Sequence, residues 1–182
     1  ISIYNDSEFI LVTNEINVLY DKLSSIMRGK VNDNLLTVPE AIGFYNSLIK
    51  QCNKLVSSSG KVVSDKQLKD RIASLSSFSL YKDNLGIDRA LFNVVYTKGS
   101  MDDNIRTKIN NLSGAKKSYM ILANNYADPQ ILKLYSSIES SSLYKSSQDL
   151  MALALTGDKN KIKTVSATDW FKTQTQFINM IR

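Results

Sequence analysis

The sequence predicts an all-α fold, an elongated antiparallel helical bundle of the four-helix type, on three observations. Proline occurs twice and glycine seven times in 182 residues, too few to punctuate the turns of a β-sandwich or a βαβ series. Apolar residues recur at alternating spacings of three and four along most of the chain, as they do on amphipathic helices packed along a seam. Strand-like alternation competes with that period nowhere.

Taken in order, Phe9, Val12, Ile16, Leu19, Leu23 and Ile26 mark a first helix over roughly 5–28. Gly29 to Leu36 breaks the pattern, and Thr37-Val38-Pro39-Glu40 restarts it with a capping box and a proline whose missing N–H costs nothing in a first turn. The second helix carries Ala41, Tyr45, Leu48, Cys52 and Leu55 on its seam, with Cys52 read as a small buried hydrophobe. Ser57 to Gly60 reads as a turn, and Ser64-Asp65-Lys66-Gln67 as a second capping box. The third helix then runs from Asp65 to about Thr97, closed by Lys98-Gly99. A fourth, from about Met101, shows Ile105, Ile109, Leu112, Ala115, Tyr119, Leu122 and Tyr126, and Asp128-Pro129 caps the next. The fifth, Pro129 to about Leu155, has room for a break in its serine-rich middle, because serine hydroxyls compete for backbone hydrogen bonds. Gly157 to Ala167 is a basic connector, and the last helix, from near Thr168, presents Trp170, Phe177 and Ile181 on one face.

Composition narrows the chemistry. With no histidine and one cysteine, the chain lacks Ser-His-Asp and Cys-His constellations, His/Cys zinc sites and an internal disulfide. The expectation is a non-enzymatic protein with no cofactor and no metal. Net charge is +6, which by itself invites nucleic acid. Eighteen of the 23 cations are lysines dispersed along the chain, however, so nucleic acid is not expected as a partner. The denser runs, Lys116-Lys117 and Lys159 to Lys163, read as solvated surface. No stretch of 18 apolar residues is present in the chain.

The informative stretch is Leu85 to Tyr96. Asp88 lies on the stripe Tyr81, Leu85, Phe92, Val95, with Arg89 beside it, Gly86 one turn before and Asn93 one turn after. On a helix apolar around nearly its whole circumference, a guanidinium keeps its charge and must be paired or hydrogen-bonded. Two readings stay open at this point. Arg89 is held in an internal ion pair by Asp88 of a neighbouring chain, Glu40 or Asp83; or it is the floor of an anion site between helices, with its five donors free for a small oxyanion. Gly86 leaves room for a ligand or a close helix. Trp170-Phe171 reads as a core anchor for the last helix.

Lys82 to Asn93 resembles the KE-x-G-x-ERA signature of the nitrate- and nitrite-sensing domain. Trp170 to Asn179 resembles that family's closing WF-x-x-x-T-x-x-I-[DN] motif, and Pro39 to Asn46 its E-A-x-x-[FY]-Y segment, preceded by Arg28. The likeness covers about residues 25–182. Asp88 stands where the family has glutamate, and the family's first helix, with its E-R-G arginine, has no counterpart. The resemblance implies one helical sensor domain over 1–182, without that first helix and the flanking membrane segments. Such a domain belongs to bacterial chemoreceptors, histidine kinases and related signalling proteins, and binds nitrate or nitrite between helices through arginines. By motif, Arg89 is the first ligand-binding candidate and Arg28 the second, with Gly86 and Asn93 beside Arg89. The resemblance also implies a homodimeric, inner-membrane parent protein with a periplasmic sensor, or else a cytoplasmic one.

Overall fold

The computed structural model describes residues 7–22, 29–30, 33, 35 and 37–181, and the regular elements among them are all helical. They are α1 (Ser7–Lys22), α2 (Val38–Val62), α3 (Lys66–Lys98), α4 (Asp103–Tyr126), α5 (Pro129–Glu139), α6 (Ser142–Leu155), α7 (Lys159–Ile162) and α8 (Ala167–Met180). The chain is a helical bundle protein, and it divides into two compact units, Ile1–Ser76 and Ser77–Arg182.

In the first unit α1 packs on α2. Val12 is fully buried and Ile16 and Leu19 are half-buried, as the seam predicts. The predicted box at α2 is present: the Thr37 hydroxyl accepts from Glu40 N–H and the Glu40 carboxylate accepts from Thr37 N–H. The Thr37 hydroxyl also donates to the Glu40 carboxylate, and that bond, with the one from the Thr37 N–H, holds the Glu40 carboxyl below the usual carboxylate range.

Two expectations for α2 are corrected. The helix does not turn at Ser57–Gly60 but continues to Val62; Ser59 Oγ donates back to the Val56 carbonyl within the helix, so the serines are accommodated there. A Cβ at Gly60 would stand 3.3 Å from Ile72 Cγ2, which makes this glycine a close approach rather than a turn. Cys52 is exposed. The inward line is Phe44, Leu48, Gln51, Leu55 and Ser58, so the seam steps through a polar residue where the apolar spacing pointed one position on. The break falls at residues 63–65, and Asp65, not Ser64, caps α3 by accepting from Leu68 N–H at 2.7 Å.

In the second unit four longer segments, α3 from Ser77 onward, α4, α6 and α8, enclose two apolar clusters. One gathers Phe92, Val95, Tyr96, Ile105, Ile109, Met151, Ala154, Ile162 and Trp170. The other gathers Leu85, Ala123, Tyr135, Ile138, Phe177 and Ile181. The order of these residues along each segment gives its direction. α3 passes from the second cluster to the first, α4 returns, α6 passes again to the first and α8 returns, an up-down-up-down bundle. Trp170, Phe177 and Ile181 are buried on one face of α8, as expected.

The connections follow from caps. The fifth predicted helix breaks at Ser140, with Ser141 accepting from Tyr144 N–H to start α6. Short α7 lies within the predicted connector, capped by Asp158, and its lysines are exposed. Gly157 has φ +73, where glycine has no Cβ penalty, and a Cβ there would meet Arg106 Nη2 at 2.9 Å. Arg106 Nη1 donates to the Leu155 carbonyl and so closes the end of α6.

Candidate functional site

Three of the four candidate residues, Gly86, Arg89 and Asn93, lie within about two turns of α3. Arg89 is half-buried, and its backbone and side chain are both held by α8. Trp170 Nε1 donates to the Arg89 carbonyl at 2.9 Å. Arg89 Nη1 donates to Thr175 Oγ1 at 3.0 Å, and its guanidinium carbon lies 4.6 Å from the centre of the Phe171 ring. Residues 171 and 175 are one turn apart, so a single face of α8 supplies both contacts.

Arg89 is therefore held by a hydroxyl and an aromatic face. Among the described residues its contacts are these two neutral groups, and two of the carboxylates considered from sequence are engaged elsewhere within this chain. Glu40 is engaged with Thr37, and Asp88 is engaged with Lys116. A guanidinium presents five N–H donors; Thr175 takes one of them.

Asn93, one turn beyond Arg89, lines an open cleft of about 320 Å³ together with Ala167, Thr168, Phe171 and Lys172. Phe171 is thus shared: its ring lies under Arg89 and also walls the cleft. Gly86 faces open space, since a Cβ built there meets nothing within 4 Å; among the described residues it leaves room rather than admitting a close helix. Arg28 lies outside the described residues. Of the four candidates, the structure places Arg89 against Phe171, Asn93 on the cleft that Phe171 also walls, and Gly86 on the same helix one turn before Arg89.

Sequence reasoning missed several participants. Trp170 is the core anchor expected, fully buried, but Phe171 is 44% exposed and serves the site instead. Lys172 carried no signal except its one-residue distance from Phe171, whereas Thr175, like Phe171, stands at a fixed position of the closing motif, from which no contact with Arg89 was drawn. Lys116 was read as solvated surface; its side chain is 14% exposed and forms an ion pair with Asp88, which is fully buried. The available signal was the spacing 109, 112, 116, 120, 123 on α4, which keeps the three-four rhythm and passes through the lysine. Correspondingly Leu122 and Tyr126, predicted on the seam, are exposed.

Asp88 has its pKa raised, because burial disfavours the charge more than Lys116 restores it. Its Oδ1 has no hydrogen-bond partner among the described residues. Among those residues, too, no group of His, Cys, Asp or Glu could hold a metal ion, and no helix is long and apolar enough to cross a membrane.

A family model described as nitrate and nitrite sensing matches residues 6–182. The nitrate regulatory protein of Klebsiella oxytoca is 24% identical over 156 residues, which cover 86% of this chain and 39% of that protein. The chain thus spans about two fifths of the length of this relative. No solved structure matches the chain.

Proposed function

The chain belongs to the nitrate and nitrite sensing family, and from that premise we propose that it is the ligand-sensing domain of a bacterial signal-transduction receptor, binding nitrate or nitrite through Arg89. The observation that supports this reading is the neutral setting of Arg89: a half-buried guanidinium held by Thr175 and Phe171 rather than by an acid. Exchanging a hydroxyl for an anion forfeits one hydrogen bond worth about 1 kcal/mol, whereas displacing a buried carboxylate would cost several.

The proposed mechanism is non-covalent. A planar oxyanion meets the planar fork edge-on and accepts two parallel N–H bonds, while Phe171 keeps the guanidinium in plane. Asn93 and Lys172 offer further donors from the neighbouring cleft. Arg28, which precedes the second-helix motif, stays the second proposed anion ligand on the family resemblance alone. Binding shifts α3 relative to α8 only by as much as the anion favours one arrangement over the other. Family membership also supports reading residues 1–182 as one sensor domain of a homodimeric, membrane-anchored parent of the chemoreceptor or histidine-kinase kind, with this domain on the periplasmic side. A relative named for nitrate regulation is consistent with a regulatory output.

Calorimetric titration with nitrate, nitrite and chloride tests the reading. Saturable heat with the first two and none with chloride is expected. No heat and no thermal shift at millimolar nitrate would leave a helical interaction or dimerisation module without a small-molecule ligand as the better description.

A further inference from the structure

Between the two apolar clusters of the second unit lies a layer of four polar side chains, one from each of the four long segments. On α3, Asp88 stands between Leu85 and Phe92; on α4, Lys116 between Ile109 and Ala123; on α6, Ser147 between Tyr144 and Met151; on α8, Gln174 between Trp170 and Phe177. Asp88, Ser147 and Gln174 are each fully buried. They form two pairs across the bundle, and the second pair also reaches the α3 backbone. Lys116 Nζ donates to Asp88 Oδ2, Ser147 Oγ donates to Gln174 Oε1, and Gln174 Nε2 donates to the Leu85 carbonyl at 3.4 Å, one turn from Asp88.

We infer that Asp88, Lys116, Ser147 and Gln174 form a register key, positioning residues that hold α3 against α8 so that Arg89 faces Thr175. The two apolar clusters do not do this alone. Apolar contacts are non-directional, and a helix displaced by one turn, about 5.4 Å, still packs apolar on apolar. The same displacement of α4 would leave the Asp88 carboxylate enclosed by hydrocarbon without its lysine, which costs several kcal/mol. α8 adds a second constraint on the backbone itself. Gln174 reaches the Leu85 carbonyl and Trp170 the Arg89 carbonyl, so a step of four residues back along α8 matches a step of four forward along α3. Only one antiparallel register makes both bonds. Buried polar residues in this role specify an arrangement at some cost in stability.

The chain has a single tryptophan, and its indole N–H is one of the two register bonds, so it reports the register directly. In a nitrogen-15 NMR spectrum the parent is expected to show one indole resonance. Asp88→Leu/Lys116→Met, and separately Ser147→Ala/Gln174→Leu, are expected to remain folded, with thermal midpoints at or above the parent's for the first. Their indole resonance should split or broaden, and nitrate should bind about tenfold more weakly, within the usual range of coupling between sites. One sharp indole resonance at the parent's position in both variants would overturn the inference. So would failure of both variants to fold, since the layer would then be a source of stability rather than of register. The binding readout rests on the anion-site reading; if the parent itself takes no nitrate, that reading fails alone and the indole resonance still decides the key.

Discussion

Asp88 and Arg89 are neighbours on α3, yet their charges are handled in opposite ways. The side chain at 88 points between two apolar clusters, has no exposed surface and is answered by a lysine from α4. The side chain at 89 is rotated about 100° around the helix, emerges toward α8 and is answered by a hydroxyl and a ring. A charge neutralised by a counter-ion in the core serves position. A charge satisfied by neutral groups near a cleft is available to a ligand.

The largest break of this contrast comes from its inner half. Lys116→Met leaves the Asp88 carboxylate buried and unpaired, and should destabilise the second unit by about 3–5 kcal/mol, seen as a large fall in the denaturation midpoint. An unchanged midpoint would mean that the pair contributes nothing.

The inner charge should also be visible in pH dependence. Because the folded-state pKa of Asp88 is raised, the native state holds a proton that the unfolded chain has released over the window from about pH 4 upward to the folded value. More protons bound in the native state means that stability falls as pH rises through that window. Thermal midpoints of the parent should therefore decline relative to Asp88→Asn from the acid end upward. A difference independent of pH would argue against a buried, titrating Asp88.

The outer half should yield smaller effects on stability. Phe171→Ala removes the ring under Arg89 and should cost about 0.5–1 kcal/mol while weakening anion binding, because the guanidinium is no longer held in plane. Thr175→Val should change stability by about 1 kcal/mol or less. It removes the group that competes for Arg89, so nitrate titration should show affinity equal to the parent's or tighter. A loss of affinity would show instead that the hydroxyl contacts the anion.

Most helices and helix ends were legible in the sequence from local rules, although the same rules misplaced the end of α2 at Ser57–Gly60 and the cap of α3 at Ser64. Thr37 with Glu40, Asp128 and the break at Ser140 all depend on side chains bonding backbone within three residues. Trp170, Phe177, Leu85, Phe92 and Val95 were legible because each is large, apolar and in rhythm. What escaped was each place where the seam passes through a polar residue. Gln51 took the inward position assigned to Cys52, and Lys116 turns inward beside the half-buried Ala115. Hydrophobic spacing assigns polar residues to the surface by default, and only a partner on another helix overrides that. Asp88 is on α3 and Lys116 on α4, 28 positions apart, a pairing with no local signature. The site was legible through its motifs, Arg89 in the first and Phe171 and Thr175 in the closing one, but their contact across more than 80 positions had no local signature.

The most direct measurement is a calorimetric nitrate titration of the parent beside Arg89→Ala, with thermal midpoints recorded for both. Saturable binding by the parent, its loss in a variant that stays folded within a few degrees, and the absence of any chloride response are the expected results. Undiminished nitrate binding by folded Arg89→Ala would contradict Arg89 as the anion-binding residue.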